Sequence, residues 1–223
     1  MRLFLDTANL AHIRHGVDLG VVSGVTTNPS LVSKEGKVDY RSLVQEICSV
    51  VPGPVSTEVL SEKAEGMVAE AREIVTWADN IAVKIPTTPE GLKATAILAR
   101  DGIKVNMTLC FSLNQAILAA EAGAAFVSPF VGRLDDIGED GMQLVVDIVE
   151  YLSYYSLPTQ VIAASIRHTA HCLSAAKAGA HIATIPYGVL LQMVEHPLTT
   201  IGVRRFADDW NKVMGNTGIL PQQ

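Results

Sequence analysis

The chain of 223 residues is 48% hydrophobic, enough to bury one substantial core, and chains of this length often form a single α/β domain. A formal net charge of −6 gives no electrostatic footprint for nucleic acid or an anionic membrane, so any anion must be held by locally placed cations. Cys48, Cys110 and Cys172 are too few and too scattered for a disulfide framework, which fits a reducing compartment. Asp6 interrupts the opening run too early for a secretory signal, and no apolar stretch reaches membrane-spanning length. A soluble, cytoplasmic protein is expected.

In chain order, short β-rich runs are predicted as strands at 3–7, 24–27, 55–60, 81–85, 104–109, 126–131, 160–165 and 182–185. Segments of helical period lie between them at 40–50, 64–77, 88–100, 112–122, 141–153, 167–178 and 188–195. A short helix ended by glycine is expected over 10–20, before the second strand. Eight strands with intervening helices in so short a chain imply a single (β/α)8 TIM barrel over 1–223. An open doubly wound sheet is the alternative, but its Gly-rich first βα turn is missing here, where 6–9 reads Asp-Thr-Ala-Asn. A further C-terminal helix at 202–215 spaces Val203, Phe206, Trp210 and Val213 by three and four. It packs on its own barrel or on a neighbouring subunit.

The fourth strand, Asn80-Ile81-Ala82-Val83-Lys84-Ile85-Pro86, carries a lysine where an apolar residue is expected. Lysine is rarely buried without a partner, and burial drives its pKa towards the range where the neutral amine is a nucleophile. Taken alone, Lys84 also reads as a strand-end lysine whose ammonium reaches water. Strand alternation predicts which residues share its face: Phe4 and Asp6, Thr26 and Asn28, Ser56 and Glu58, Ala82, Asn106 and Thr108, Ser128 and Phe130, Ala163 and Ser165, then Arg167. The opposite faces are mostly apolar, as at Val55, Val59, Val83, Ile85, Val105 and Leu109. Singly, Asn28 is also a turn residue before Pro29, Thr108 a cap and Ser165 a small filler. Together they are polar residues at the C-terminal ends of strands, where barrel active sites form, and a buried set of that kind needs partners.

These residue types suit covalent chemistry at a carbonyl. A lysine imine is an electron sink, so a carbon–carbon bond beside a ketone-derived iminium breaks to leave an enamine. Asp6 is the carboxylate placed to take the proton of the departing hydroxyl. Glu58, through a water held by Thr108, serves imine formation and hydrolysis. Asn28, Asn106 and Ser165 can orient a small polyol, and Arg133 and Arg167 offer forked donors suited to phosphate.

The ordered motifs LFLDTA at 3–8, GVTTNPSL at 24–31, STEVL at 56–60, AVKIP at 82–86, KVNMTLCFS at 104–112, SPFVGRLDD at 128–136 and AASIRH at 163–168 resemble the small-subunit transaldolases, a group that includes fructose-6-phosphate aldolase. The resemblance covers essentially the whole chain. It implies a cofactor-free class I mechanism that carries a dihydroxyacetone unit from a ketose phosphate, fructose 6-phosphate or sedoheptulose 7-phosphate, to an aldose phosphate, in the pentose phosphate pathway. By matching motif, Lys84 is the Schiff-base residue and Asp6 the acid/base on the C4 hydroxyl, while Glu58 and Thr108 hold the catalytic water. Thr26, Asn28, Asn106, Phe130 and Ser165 line the three-carbon site, and Arg133 and Arg167 bind phosphate. The resemblance also implies a homo-oligomer, a decamer of two pentameric rings or a pentamer, with the C-terminal helix on a neighbour.

The aldolases of the group typically carry glutamine where this chain has Glu58 and tyrosine where it has Phe130. A phenol can protonate the enamine or activate water, releasing free dihydroxyacetone, and a phenylalanine cannot. Both positions favour transfer. A barrel that binds sugar phosphates without turnover would keep the arginines but has no need of Lys84 with Asp6 and Glu58. His168, His171 and Cys172 do not make a zinc site without a further ligand and an open position, and no metal is expected. The acidic stretch 135–140 reads as a solvated loop near the site mouth. Gly179 and Gly188 could let an anion approach backbone N–H groups but are not assigned as ligands.

Overall fold

The computed structural model describes residues 1–37 and 39–214. The chain divides into two compact units, Met1–Leu190 and Leu191–Gln223. In the first, eight parallel strands close into a barrel in sequential order. In chain order the elements are β1 (Arg2–Asp6), α1 (Leu10–Asp18), β2 (Val22–Thr26), α2 (Pro29–Val32) running into a 3₁₀ turn (Ser33–Glu35), α3 (Tyr40–Val50), β3 (Val55–Glu58) and α4 (Ala64–Ile74). Then follow β4 (Ile81–Pro86), α5 (Pro89–Arg100), β5 (Val105–Cys110), α6 (Leu113–Glu121), β6 (Phe126–Pro129), α7 (Val131–Asp135) and α8 (Gly141–Tyr154). The chain continues through β7 (Gln160–Ala163), α9 (Thr169–Lys177), β8 (Ile182–Ile185), α10 (Tyr187–Val194) and α11 (Pro197–Met214). No helix among the described residues is long and apolar enough to cross a membrane.

Alternation along the strands builds two apolar layers. Leu5, Val25, Val55, Val83, Ile85, Val105, Met107 and Val127 face outwards and pack with the inner stripes of the helices, among them Ile13, Ile47, Met67, Leu98 and Ile148. Phe4, Ala82, Phe126, Ile162 and Ile182 form a separate cluster that plugs the barrel floor. Gly24 makes room for that plug, because a Cβ there would lie 2.4 Å from the Phe4 ring. Each fully buried aromatic or branched side chain contributes about 1.5–3 kcal/mol, so floor and outer layer together hold the strand ends rigid for the residues above.

Most helices start on a side chain that satisfies an orphan N–H. Asn9, Asn28, Asp39, Thr88, Ser112, Asp140 and His168 each accept from the first turn of the helix they precede. Pro29 and Pro89 stand at first-turn positions, where the missing donor costs nothing.

Three sequence expectations need correction. The short helices α2 and α7 were not expected, since four and five residues are too few to display a helical period. The terminal helix begins at Pro197 rather than at 202, because a proline at a helix start fixes φ favourably; position 215 lies outside the described residues. In β7 the alternation is offset by one: Ile162 joins the floor, while Val161 and Ala163 face the outer layer. Ala163 therefore does not share the lumen with Lys84. Ser165 lies beyond the strand in a left-handed conformation at φ +58°, which is where strand alternation stops being a guide.

Candidate active site

Register assembles the site. Glu58 pairs with Lys84 across β3 and β4, and Lys84 with Asn106 across β4 and β5. Adjacent parallel strands run about 4.8 Å apart, so three polar side chains of like parity are held side by side. Lys84 is only 5% exposed. Its ammonium donates to Glu58 Oε2 at 3.0 Å and to the Thr27 carbonyl at 3.1 Å. Glu58 thus reaches the lysine directly.

On the neighbouring strands, Asp6 pairs in register with Thr26. Thr26 Oγ1 donates to Asp6 Oδ1 at 2.8 Å and lies 2.6 Å from Thr184 Oγ1. With its own proton committed to the carboxylate, Thr26 must accept from Thr184. Burial pushes the Asp6 carboxyl up from its ordinary value, while the Thr26 hydroxyl and the Lys84 and Lys34 charges pull it back.

Asn106 is completely buried and its amide is fixed at both ends. Its Nδ2 donates to Ser56 Oγ at 3.0 Å, and its Oδ1 accepts from Ser128 Oγ at 2.7 Å. The Thr108 hydroxyl is buried with no partner among the described residues. A buried hydroxyl left without a protein partner marks a place where a water or ligand group is needed. Next to it, Leu109 adopts φ +55°, and this turn sends Cys110 back to the outer layer. Leu109 and Ser165 are both non-glycine residues in the left-handed region, a conformation that concentrates at functional sites.

Asn28 caps α2 through Oδ1, accepting from the Leu31 N–H at 2.9 Å, which leaves its amide nitrogen for a ligand. Phe130 precedes α7, its ring edge-on to Phe111 at 5.8 Å, with the Arg133 guanidinium 5.0 Å above its face. Arg133 and Arg167 are exposed. Their two loops meet where Gly132 N–H donates to the Ser165 carbonyl at 3.1 Å. A Cβ at Gly132 would lie 2.3 Å from that oxygen, so glycine is required there. Arg167 Nη2 is held by Asp136 at 2.7 Å.

Lys84, Glu58, Asp6, Thr26, Asn106 and Thr108 are brought together at the upper end of the lumen, with Asn28 at the strand end beside them; above β6, Phe130 stands at the N-cap of α7 and Arg133 lies within it, and Ser165 and Arg167 stand on the loop after β7. Thr184 was missed, although the alternation used for the other strands would have found it on β8. The Thr27 carbonyl was also missed, because a backbone acceptor has no residue-type signal. His168, set aside above as a metal ligand, caps α9 instead.

The arrangement offers a buried lysine, two carboxylates in different environments, hydroxyl and amide donors, and two guanidinium groups. The family model for Transaldolase/Fructose-6-phosphate aldolase matches residues 3–217. A probable transaldolase of Dehalococcoides mccartyi is 60% identical over 214 residues, covering 96% of this chain and 99% of that one. A probable transaldolase of Thermoanaerobacter sp. is 58% identical over 95% of this chain and 98% of its own length. One from Methanococcus maripaludis is 55% identical over 96% of this chain and 99% of its own. On a match of this extent, over a barrel with this arrangement at its mouth, the chain belongs to the transaldolase/fructose-6-phosphate aldolase family.

Proposed function

We propose that the protein is a transaldolase that moves a dihydroxyacetone unit between sugar phosphates through an imine on Lys84. The observation that carries this reading is a buried lysine with Glu58 on its ammonium at 3.0 Å. A carboxylate there can take the ammonium proton and free the amine for attack on the C2 carbonyl of a ketose phosphate. Loss of water from the carbinolamine leaves an iminium. Asp6 then takes the C4 hydroxyl proton, the C3–C4 electron pair moves into the iminium, and an aldose phosphate departs. The three-carbon enamine waits for an acceptor aldehyde, and the reverse steps release the new ketose phosphate.

An Asp6 carboxyl raised by burial suits a group that must both accept and return a proton. Thr108 serves the water exchanged in forming and hydrolysing the imine, and Asn28, Asn106 and Ser165 orient the three-carbon hydroxyls. Arg133 and Arg167 take the phosphate. No cofactor enters these steps. Phe130 favours transfer over release because its ring has no proton to give the enamine. The same reading puts the enzyme in the pentose phosphate pathway of the cytoplasm.

Assembly into a homodecamer, or a pentamer, is part of the proposal. Val203, Phe206, Trp210 and Val213 on α11 are all exposed, and an apolar stripe of this size on a helix marks an interaction surface.

Borohydride reduction in the presence of fructose 6-phosphate tests the chemistry. A three-carbon adduct on the peptide bearing Lys84, absent from Lys84→Ala, is expected; addition of erythrose 4-phosphate then yields sedoheptulose 7-phosphate. A folded protein that binds fructose 6-phosphate without forming the adduct would be a sugar-phosphate-binding barrel, and a protein that forms it but releases dihydroxyacetone at the same rate with or without acceptor would be an aldolase.

A further inference from the structure

The loop after β7 carries Arg167, and a group outside the reacting centre fixes it. His171, in the first turn of α9, accepts the Arg167 backbone N–H on Nδ1 at 3.3 Å. That bond leaves the proton on Nε2, which lies 3.0 Å from Asp135 Oδ2. Asp135 in turn accepts the Gly141 N–H on Oδ1 at 3.1 Å. A backbone amide, an imidazole, a carboxylate and a second backbone amide thus run in series from the loop bearing Arg167, through Asp135 on the helix α7 that also bears Arg133, to the start of α8. The ring is well buried at 14% side-chain exposure, whereas the Arg167–Asp136 pair is 51% and 61% exposed and free to exchange Asp136 for another anion.

We infer that His171 and Asp135 are positioning residues for the phosphate end of the substrate, setting the separation of Arg133 and Arg167 so that both guanidinium groups meet one phosphoryl group. The inference rests on the proposed assignment of those arginines to phosphate. Neither residue touches the reacting carbons, so the pair acts on recognition of the phosphate and not on the imine. The brace requires a neutral ring, since a proton on Nδ1 would face the Arg167 N–H. Burial, His168 and Arg167 lower the His171 pKa against the opposing pull of Asp135, in keeping with that requirement. Those are the charged groups that face the ring from α9, the β7–α9 loop and α7.

The test compares fructose 6-phosphate with unphosphorylated fructose as donor for the wild type, His171→Ala, His171→Gln and Asp135→Asn. A misplacement of about 1 Å can cost about a hundredfold, so His171→Ala is expected to raise KM for fructose 6-phosphate about tenfold or more, with kcat and the KM for fructose little changed. Inorganic phosphate, as a competitive inhibitor, should weaken in parallel. His171→Gln, which can still link to Asp135, should recover most of the loss and remove from the KM profile the rise expected in the wild type as pH falls through the lowered pKa of His171. Equal loss for both donors, or an unchanged preference in both His171→Ala and Asp135→Asn, overturns the inference. A wild type that does not prefer the phosphorylated donor overturns instead the assignment of Arg133 and Arg167 on which it rests. If His171→Ala does not fold, the Gln and Asn variants give the same comparison.

Discussion

Glu58 Oε2 sits 3.0 Å from Lys84 Nζ because the two residues are register partners on neighbouring strands, and their side chains are only 15% and 7% exposed. Breaking a buried pair by removing one partner costs about 3–5 kcal/mol, since it leaves the other charge uncompensated. Lys84→Met should therefore fall near the lower end of that range in urea unfolding, while also losing all borohydride trapping. Adding Glu58→Gln to Lys84→Met should restore most of the stability and none of the activity. A double variant no more stable than Lys84→Met would show that the pair is not the source of the loss.

Asp6 gives a prediction with a sign. Its folded-state carboxyl is raised above 3.8 by burial, against the Thr26 hydrogen bond and the Lys84 charge. The folded protein then holds a proton that the unfolded chain has lost, so stability falls as pH rises from 3.8 through the folded value. Asp6→Asn should be more thermostable than the wild type at pH 7, with the gap closing on acidification below that window. Its kcat should drop by about 10²–10⁴-fold, the usual loss of a general acid–base group, while dihydroxyacetone still forms an imine on Lys84. Thr26→Val removes the donor that lowers the carboxyl and should move the acid limb of kcat to higher pH. An acid limb that does not move would separate Thr26 from the acid/base step.

The proposed reaction gives Phe130 a part in the fate of the enamine, and this can be tested. Phe130→Tyr adds a hydroxyl beside Phe111, near Arg133, and the expected result is more free dihydroxyacetone per acceptor consumed. The ratio of release to transfer, measured against acceptor concentration, checks this; an unchanged ratio would deny the ring any part in partitioning.

The exposed stripe on α11 predicts a change of mass. Deleting 203–223 should convert the proposed homo-oligomer to smaller species by light scattering, without altering the strand content of the barrel. A truncated protein of unchanged subunit number would remove the helix from the interface.

Much of this molecule is legible in the chain itself. Eight strands with helices between them and the parity that groups Asp6, Thr26, Glu58, Lys84 and Asn106 follow from local spacing, because a strand has period two and a helix 3.6, while the family resemblance rests on ordered motifs. Spacing fails where the chain leaves those periods. Ser165 and Leu109 lie in left-handed turns that reset the alternation, and β7 begins one residue out of the expected phase. Nor does spacing reveal contacts between distant segments. The Thr27 carbonyl on Lys84 and His171 bridging Arg167 to Asp135 exist because closure of the barrel brings separate segments to one rim. The sequence by itself determined the candidate residues for the proposed chemistry, through residue type and period. The tertiary structure alone decided which hydrogen bonds hold them, because closure sets register and register sets distance.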